Sequence, residues 1–229
     1  MKKSLARLVA AGLLSALAGA ACKSAMTPPA TPAPAAKSGT GQPDSAHPAM
    51  LHAPGIRQAF SQADIDFMSG MIPHHAQAVI MAGWAPTHGA RKDVGILCER
   101  IVVGQTDEIK LMQTWLSDRG LPVPDAKSTR MHMKMASGME HDMLMPGMLS
   151  DEEMAELDKA RGPEFDRLFL VGMIKHHQGA VDMVDVLFKS YGGGQDEQMF
   201  KFASDVYADQ STEIDRMQKM LAGGGEPRS

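Results

Sequence analysis

From residue 60 onward, apolar positions recur at three- and four-residue steps, the period of a helix that buries one face. The first such stretch, "SQADIDFMSGMIPHHAQAVIMAGWA", begins at Ser61, a natural N-cap, with Asp64 three residues on, favourable at a helix N-terminus. A second runs from Lys92 to Arg119, with Ile101, Gln105, Glu108, Ile109 and Met112 on helical spacing, and Gly120 with Pro122 stops it. Ser150 and Glu153 form a capping box that opens a short helix at "SDEEMAEL". Pro163 starts a third long helix reaching Lys189, Gly192–Gly194 break the chain, and a fourth runs from about Asp196 to Leu221. Pro73 falls inside the first helix, where it removes a backbone hydrogen bond and crowds the preceding turn. A kink or a helix restart is expected there, and only there, because the matching later position is Lys175. β-branched runs are short and no Asn-Gly hairpin signal occurs, so no strands are predicted.

The pattern repeats. Phe67–Ala82 aligned on Phe169–Val184, an offset of 102, gives nine identities in sixteen, including Gly-Met-Ile-x-His-His. The partner helices repeat as well: "QTDEIKLMQTWL" from Gln105 matches "QSTEIDRMQKML" from Gln210 at six of twelve positions. A helical hairpin used twice predicts an all-α four-helix bundle over residues 56–222. Its hairpins are expected at 60–120 and 150–221, joined by a connection at 121–149 and followed by a tail at 223–229.

Upstream of residue 56 the composition changes. Lys2, Lys3 and Arg7 precede an apolar core at Leu8–Ala18 and small residues up to Cys22, the form of a secretory signal peptide over residues 1–21. Small residues directly before a cysteine point to lipidation at Cys22, with ordinary cleavage near Ala20–Ala21 as the alternative. Residues 22–55 hold seven of the fourteen prolines and almost nothing large and apolar, so they are expected to form a disordered tether. His47, Met50 and His52 sit at its end and read as tail residues. Removing residues 1–21 takes away three positive charges and no negative ones, moving the net charge from −4 to −7. An acidic exported product is no partner for nucleic acid, and membrane contact is expected only through the lipid anchor. With only Cys98 left over if Cys22 is acylated, no disulfide framework is expected, and Cys98 reads as a small buried hydrophobe.

The repeated phrase carries the chemistry. Met71 lies three and four residues before His74 and His75, and Met81 seven after His74; the second copy sets Met173, His176, His177 and Met183 alike. Adjacent histidines are rotated by about 100 degrees on a helix, so the two of a pair do not face one point. Thioethers select Cu(I) and its heavier relative Ag(I), and imidazole accepts copper too. The run "MHMKMASGMEHDMLMPGM" adds Met131, His132, Met133, Met135, Met139, His141, Met143, Met145 and Met148. It shows neither a helical nor a strand period, so it reads as a loop that wraps a two- or three-coordinate ion. Glu108 and Glu213, four residues before Met112 and Met217, either hydrogen-bond the imidazoles across each hairpin or face solvent. A di-iron oxidase would need Glu-x-x-His, and no glutamate has a histidine three residues on. Gly-x-Ser-x-Gly and His-Glu-x-x-His are missing from the sequence as well.

"DFMSGMIPHHAQAVIMA", "PGMLSDEEMAEL" and "FDRLFLVGMIKHHQGAVDMV" resemble the domain of unknown function 305 family over about residues 60–221. The resemblance implies a ferritin-like four-helix bundle in an exported bacterial protein, with some members linked to copper and silver binding. It puts the paired Met and His residues in the candidate set. The expected function is an exported, non-enzymatic protein that sequesters Cu(I) or Ag(I) or hands it to a copper-handling partner protein. The alternatives are a di-iron-type oxidase and a non-metal cell-surface helical module. Oligomeric state is not legible in the sequence.

Overall fold

The computed structural model describes residues 60–134 and 140–223. Six helices follow one another: α1 (Gln62–Gly83), α2 (Ala85–His88), α3 (Lys92–Asp118), α4 (Asp151–Lys159), α5 (Pro163–Lys189) and α6 (Glu197–Ala222). Two short strands, β1 (Met131–Lys134) and β2 (Glu140–Met143), lie between α3 and α4. The described residues are thus predominantly helical. α1 packs along α3 and α5 along α6, making two hairpins that meet through α1 and α5, while the backbones of α3 and α6 stand further apart. No described helix is long and apolar enough to cross a membrane.

The predicted ends hold because the caps are made. The Ser61 hydroxyl accepts from the Asp64 amide at 3.3 Å, and the Asp64 carboxylate accepts from the Ser61 amide at 2.6 Å, a reciprocal box that satisfies two donors of α1. Ser150 and Glu153 do the same for α4. Asp64 does more than cap. Fully buried, it also accepts the Gly194 amide at 2.8 Å, from the turn of the other hairpin. Its repeat counterpart Asp166 accepts the Arg91 amide at 3.1 Å, from the turn of the first hairpin. Each hairpin therefore pins the far turn of its partner. Of the kink or restart expected at Pro73, the restart is not found: α1 is one helix from Gln62 to Gly83. The site tolerates the missing donor because α1 is held on both sides, by α3 and α5, so packing outweighs one lost bond.

Buried apolar residues divide into two clusters. One gathers Phe67, Met71, Met112, Trp115, Met183, Leu187 and Phe202, and the other Met81, Leu97, Ile101, Phe165, Phe169, Met173 and Met217. Met71 of one repeat thus shares a cluster with Met183 of the other, and Met81 with Met173, as a two-fold axis between antiparallel α1 and α5 requires. The close contacts obey the same symmetry: a Cβ on Gly70 would stand 3.5 Å from the Met183 methyl, and one on Gly172 3.4 Å from the Met81 methyl. Cys98 is buried in the second cluster, as a small hydrophobe. Burial, followed by the Asp166 charge, pushes its thiol up to about 12.

The connection departs from the expected loop in two ways. Its first part pairs as an antiparallel ribbon, with Met131 opposite Met143, His132 opposite Asp142 and Met133 opposite His141. The polar partners oppose one another, and His132 Nδ1 lies 2.8 Å from Asp142, so cross-strand pairing supplies an order that the methionine count hides. Its second part, residues 145–149, is a strap laid over the α1–α5 seam. The Gln77 side chain donates to the Leu149 carbonyl at 2.9 Å and accepts the Leu149 amide at 2.8 Å. Gly147, with φ of 76°, meets α5 at Gly179, where a Cβ would lie 2.0 Å from the Pro146 carbonyl oxygen. Met148 is buried there and Met145 is partly buried against the first cluster, so these two serve as packing residues rather than as part of a free loop.

Candidate metal centre

Neither apolar cluster contains the histidines, which form a polar layer half-way along the long helices. His74, His75, His176 and His177 are all fully buried. On each helix the pair diverges, as the 100-degree step demands. His74 and His176 meet across the α1–α5 seam with ring centroids 3.8 Å apart, whereas His75 and His177 turn into their own hairpins. The His75 Nε2 lies 2.7 Å from a Glu108 carboxylate oxygen and the His177 Nε2 2.7 Å from Glu213. Of the two readings open for those glutamates, the imidazole partner is the one found.

The remaining contacts settle the tautomers of the central pair. His74 Nε2 lies 3.0 Å from the Pro146 carbonyl, and His176 Nε2 2.9 Å from the His74 carbonyl. A carbonyl only accepts, so each Nε2 carries the hydrogen, and in the neutral ring Nδ1 holds a bare lone pair. Burial, reinforced by the neighbouring histidines, holds both rings well below the ordinary imidazole value, so they are neutral near pH 7. None of the four Nδ1 atoms has a hydrogen-bond partner. A buried acceptor without a donor costs about 1–3 kcal/mol. All four Nδ1 atoms lie in one layer, with bare lone pairs at His74 and His176, and the other two imidazoles are oriented by carboxylates, as metal-binding histidines commonly are. Among the described residues, no three His, Cys, Asp or Glu side chains are grouped to hold one ion. An ion held by nitrogen there needs few ligands, or takes sulfur for the rest.

The family model "Domain of unknown function (DUF305)" matches residues 64–221, from the α1 cap to the end of α6. The chain belongs to the DUF305 family. Solved structures of DUF305 and related proteins share its fold. CopM in the Cu(I)-bound form is 29% identical, with a TM-score of 0.54, covering 71% of this chain and 98% of CopM. CopM in an Ag-bound form is 30% identical, with a TM-score of 0.53 over 70% of this chain and 96% of that one. A DUF305 protein from Streptomyces coelicolor, classed as secreted, is 27% identical, with a TM-score of 0.58 over 73% of this chain and 97% of that one. CopM is also solved in a Cu(II)-bound form. No curated protein matches the chain.

Within this DUF305 chain the sulfur candidates fall in three places. Met71 and Met183 flank the histidine layer in the first cluster, and Met81 and Met173 in the second, all of them buried. Met145 and Met148 lie in the strap, where the Met145 amide lies 3.2 Å from the Met148 sulfur. Met131, His141 and Met143 belong to the ribbon, with Met143 opposite Met131 and two residues from exposed His141, positions that the pleat assigns to one face. Exposed His132 pairs with Asp142, and Met133 holds its place in β1 opposite His141. Met135 and Met139, like Cys22, lie outside the described residues. Two groups went unread in the sequence: the Pro146 carbonyl that anchors His74, and the Gln105 and Gln210 amides buried three residues before Glu108 and Glu213. The glutamines are identities of the α3–α6 repeat at i, i+3 from the glutamates, and that spacing was the available signal.

Proposed function

We propose that this protein binds Cu(I), and by the same chemistry Ag(I), through imidazole nitrogen and thioether sulfur, and that it stores or hands on the ion rather than transforming a substrate. The observation that carries the reading is the layer of four buried imidazoles whose Nδ1 atoms meet no partner, those of His74 and His176 with bare lone pairs. Cu(I) suits them: it is soft, accepts two or three ligands, and takes both imidazole and thioether. Met71, Met81, Met173 and Met183 supply sulfur on either side of the layer, and Met131, His141 and Met143 offer a more accessible set on the ribbon. The copper- and silver-bound CopM structures support the same class of cargo. An exported protein tethered through Cys22 by residues 22–55 agrees with the leader-like N-terminus, and a partner protein that delivers or receives copper would meet the exposed ribbon first.

X-ray absorption at the copper edge of the Cu(I)-loaded protein tests the ligand set. Mixed nitrogen and sulfur scattering is expected, with the nitrogen share falling in His74→Leu/His176→Leu. Sulfur-only scattering unchanged by that variant would remove the imidazoles from the site.

A further inference from the structure

The backbones of α3 and α6 stand further apart than those within each hairpin, and between them lies a cavity of about 190 Å3, room for several waters. Its walls include Gln105, Glu108, Asp209, Gln210 and Glu213, with Arg100 as the opposing charge. The two glutamines are 4% and 3% exposed. The Oε1 of each, and the Nε2 of Gln210, has no partner. Glu108 and Glu213 each give one oxygen to an imidazole and remain partly open, with side chains 24% and 19% exposed. Three carboxylates against one guanidinium leave the walls net negative.

We propose that this cavity is a second cation site, taking a hydrated divalent ion of the Mg2+ or Mn2+ class on the amide oxygens of Gln105 and Gln210 and, partly through water, on the carboxylates of Glu108, Glu213 and Asp209. The donors are all oxygen, which hard cations prefer and Cu(I) does not. The carboxylates are not grouped tightly enough to chelate directly, and ions of this class keep several of their waters. Such an ion would bridge the two hairpins where the backbones of α3 and α6 stand apart. It would also give the unpartnered glutamine oxygens something to bind. The site does not depend on the copper reading, because it uses no sulfur and no imidazole nitrogen.

The probe is Mn2+, titrated into the isotope-labelled chain from Cys22 onward and followed by amide NMR. Paramagnetic broadening is expected to centre on residues 104–109 and 209–214. Apparent affinity should fall at least tenfold in Gln105→Leu/Gln210→Leu and several-fold in Asp209→Asn. Asp209 is exposed, so its variant reports on the site even if the glutamine double variant folds poorly. Broadening confined to other acidic surfaces, or unchanged in Asp209→Asn, would overturn the site. Failure to bind Cu(I) in a parallel titration would leave this result standing and count only against the copper reading.

Discussion

Each of the four histidines is fixed through Nε2, and what fixes it decides what its other nitrogen can do. For His74 and His176 that partner is a carbonyl, and the surrounding burial depresses both pKa values. The unfolded chain titrates them near 6.5, so below that pH it binds protons that the folded state refuses. Stability is therefore full above pH 6.5 and falls as the pH drops through it. The metal-free protein should melt at progressively lower temperature between pH 7.5 and 5, and His74→Leu/His176→Leu should flatten that slope; a wild-type melting temperature independent of pH would contradict the neutral, buried assignment. His75 and His177 depend instead on Glu108 and Glu213. Changing both glutamates to Gln removes the charge that orients each ring, and Cu(I) affinity should fall about 10–100-fold. Near-native circular dichroism should accompany that loss. Much of this was open to reading in the sequence, because the His-His pairs and the glutamates repeat at matching offsets. The unpartnered nitrogens were not, since a lone pair acquires a direction only when a distant carbonyl such as that of Pro146 takes up the other side of the ring.

Among the elements, the long helices follow their punctuation: Ser61, Ser150, Pro163 and the Gly192–Gly194 break stand where the helices begin or end. The connection did not follow its composition. A run dense in methionine showed no period to the eye, yet cross-strand partners made part of it a ribbon and the Gln77–Leu149 amide pair made part of it a strap. Both depend on residues far away in the sequence, which local pattern does not register. The strap is the more consequential, because it brings the Pro146 carbonyl to His74. Gly179→Ala would drive a methyl into the Pro146 carbonyl and Gly147, backbone atoms that cannot swing aside. It should cost about 1–3 kcal/mol in denaturant unfolding. Gly70→Ala meets the end of the flexible Met145 side chain and should cost clearly less. Equal costs for the two would mean that the strap is not seated as described.

At the scale of the molecule, duplication gives the protein a centre. Two copies of one hairpin place His74 against His176 and set the apolar clusters on either side. Asp64 and Asp166 lock each copy to the far turn of the other. The symmetry is broken by the connection, which covers the seam once and puts a methionine-bearing ribbon outside. A buried nitrogen layer and an outer sulfur surface are the two compartments of the proposed copper function. The most direct test is an anaerobic Cu(I) titration of the chain against a competing chromophoric chelator. It would be run beside His74→Ala/His75→Ala/His176→Ala/His177→Ala and beside a deletion of residues 131–143, which spares the strap. Tight binding that weakens in both variants, each retaining its helical content, is the predicted result. A wild-type protein that takes no Cu(I) from the chelator would contradict the account and leave the buried histidines as parts of the fold alone.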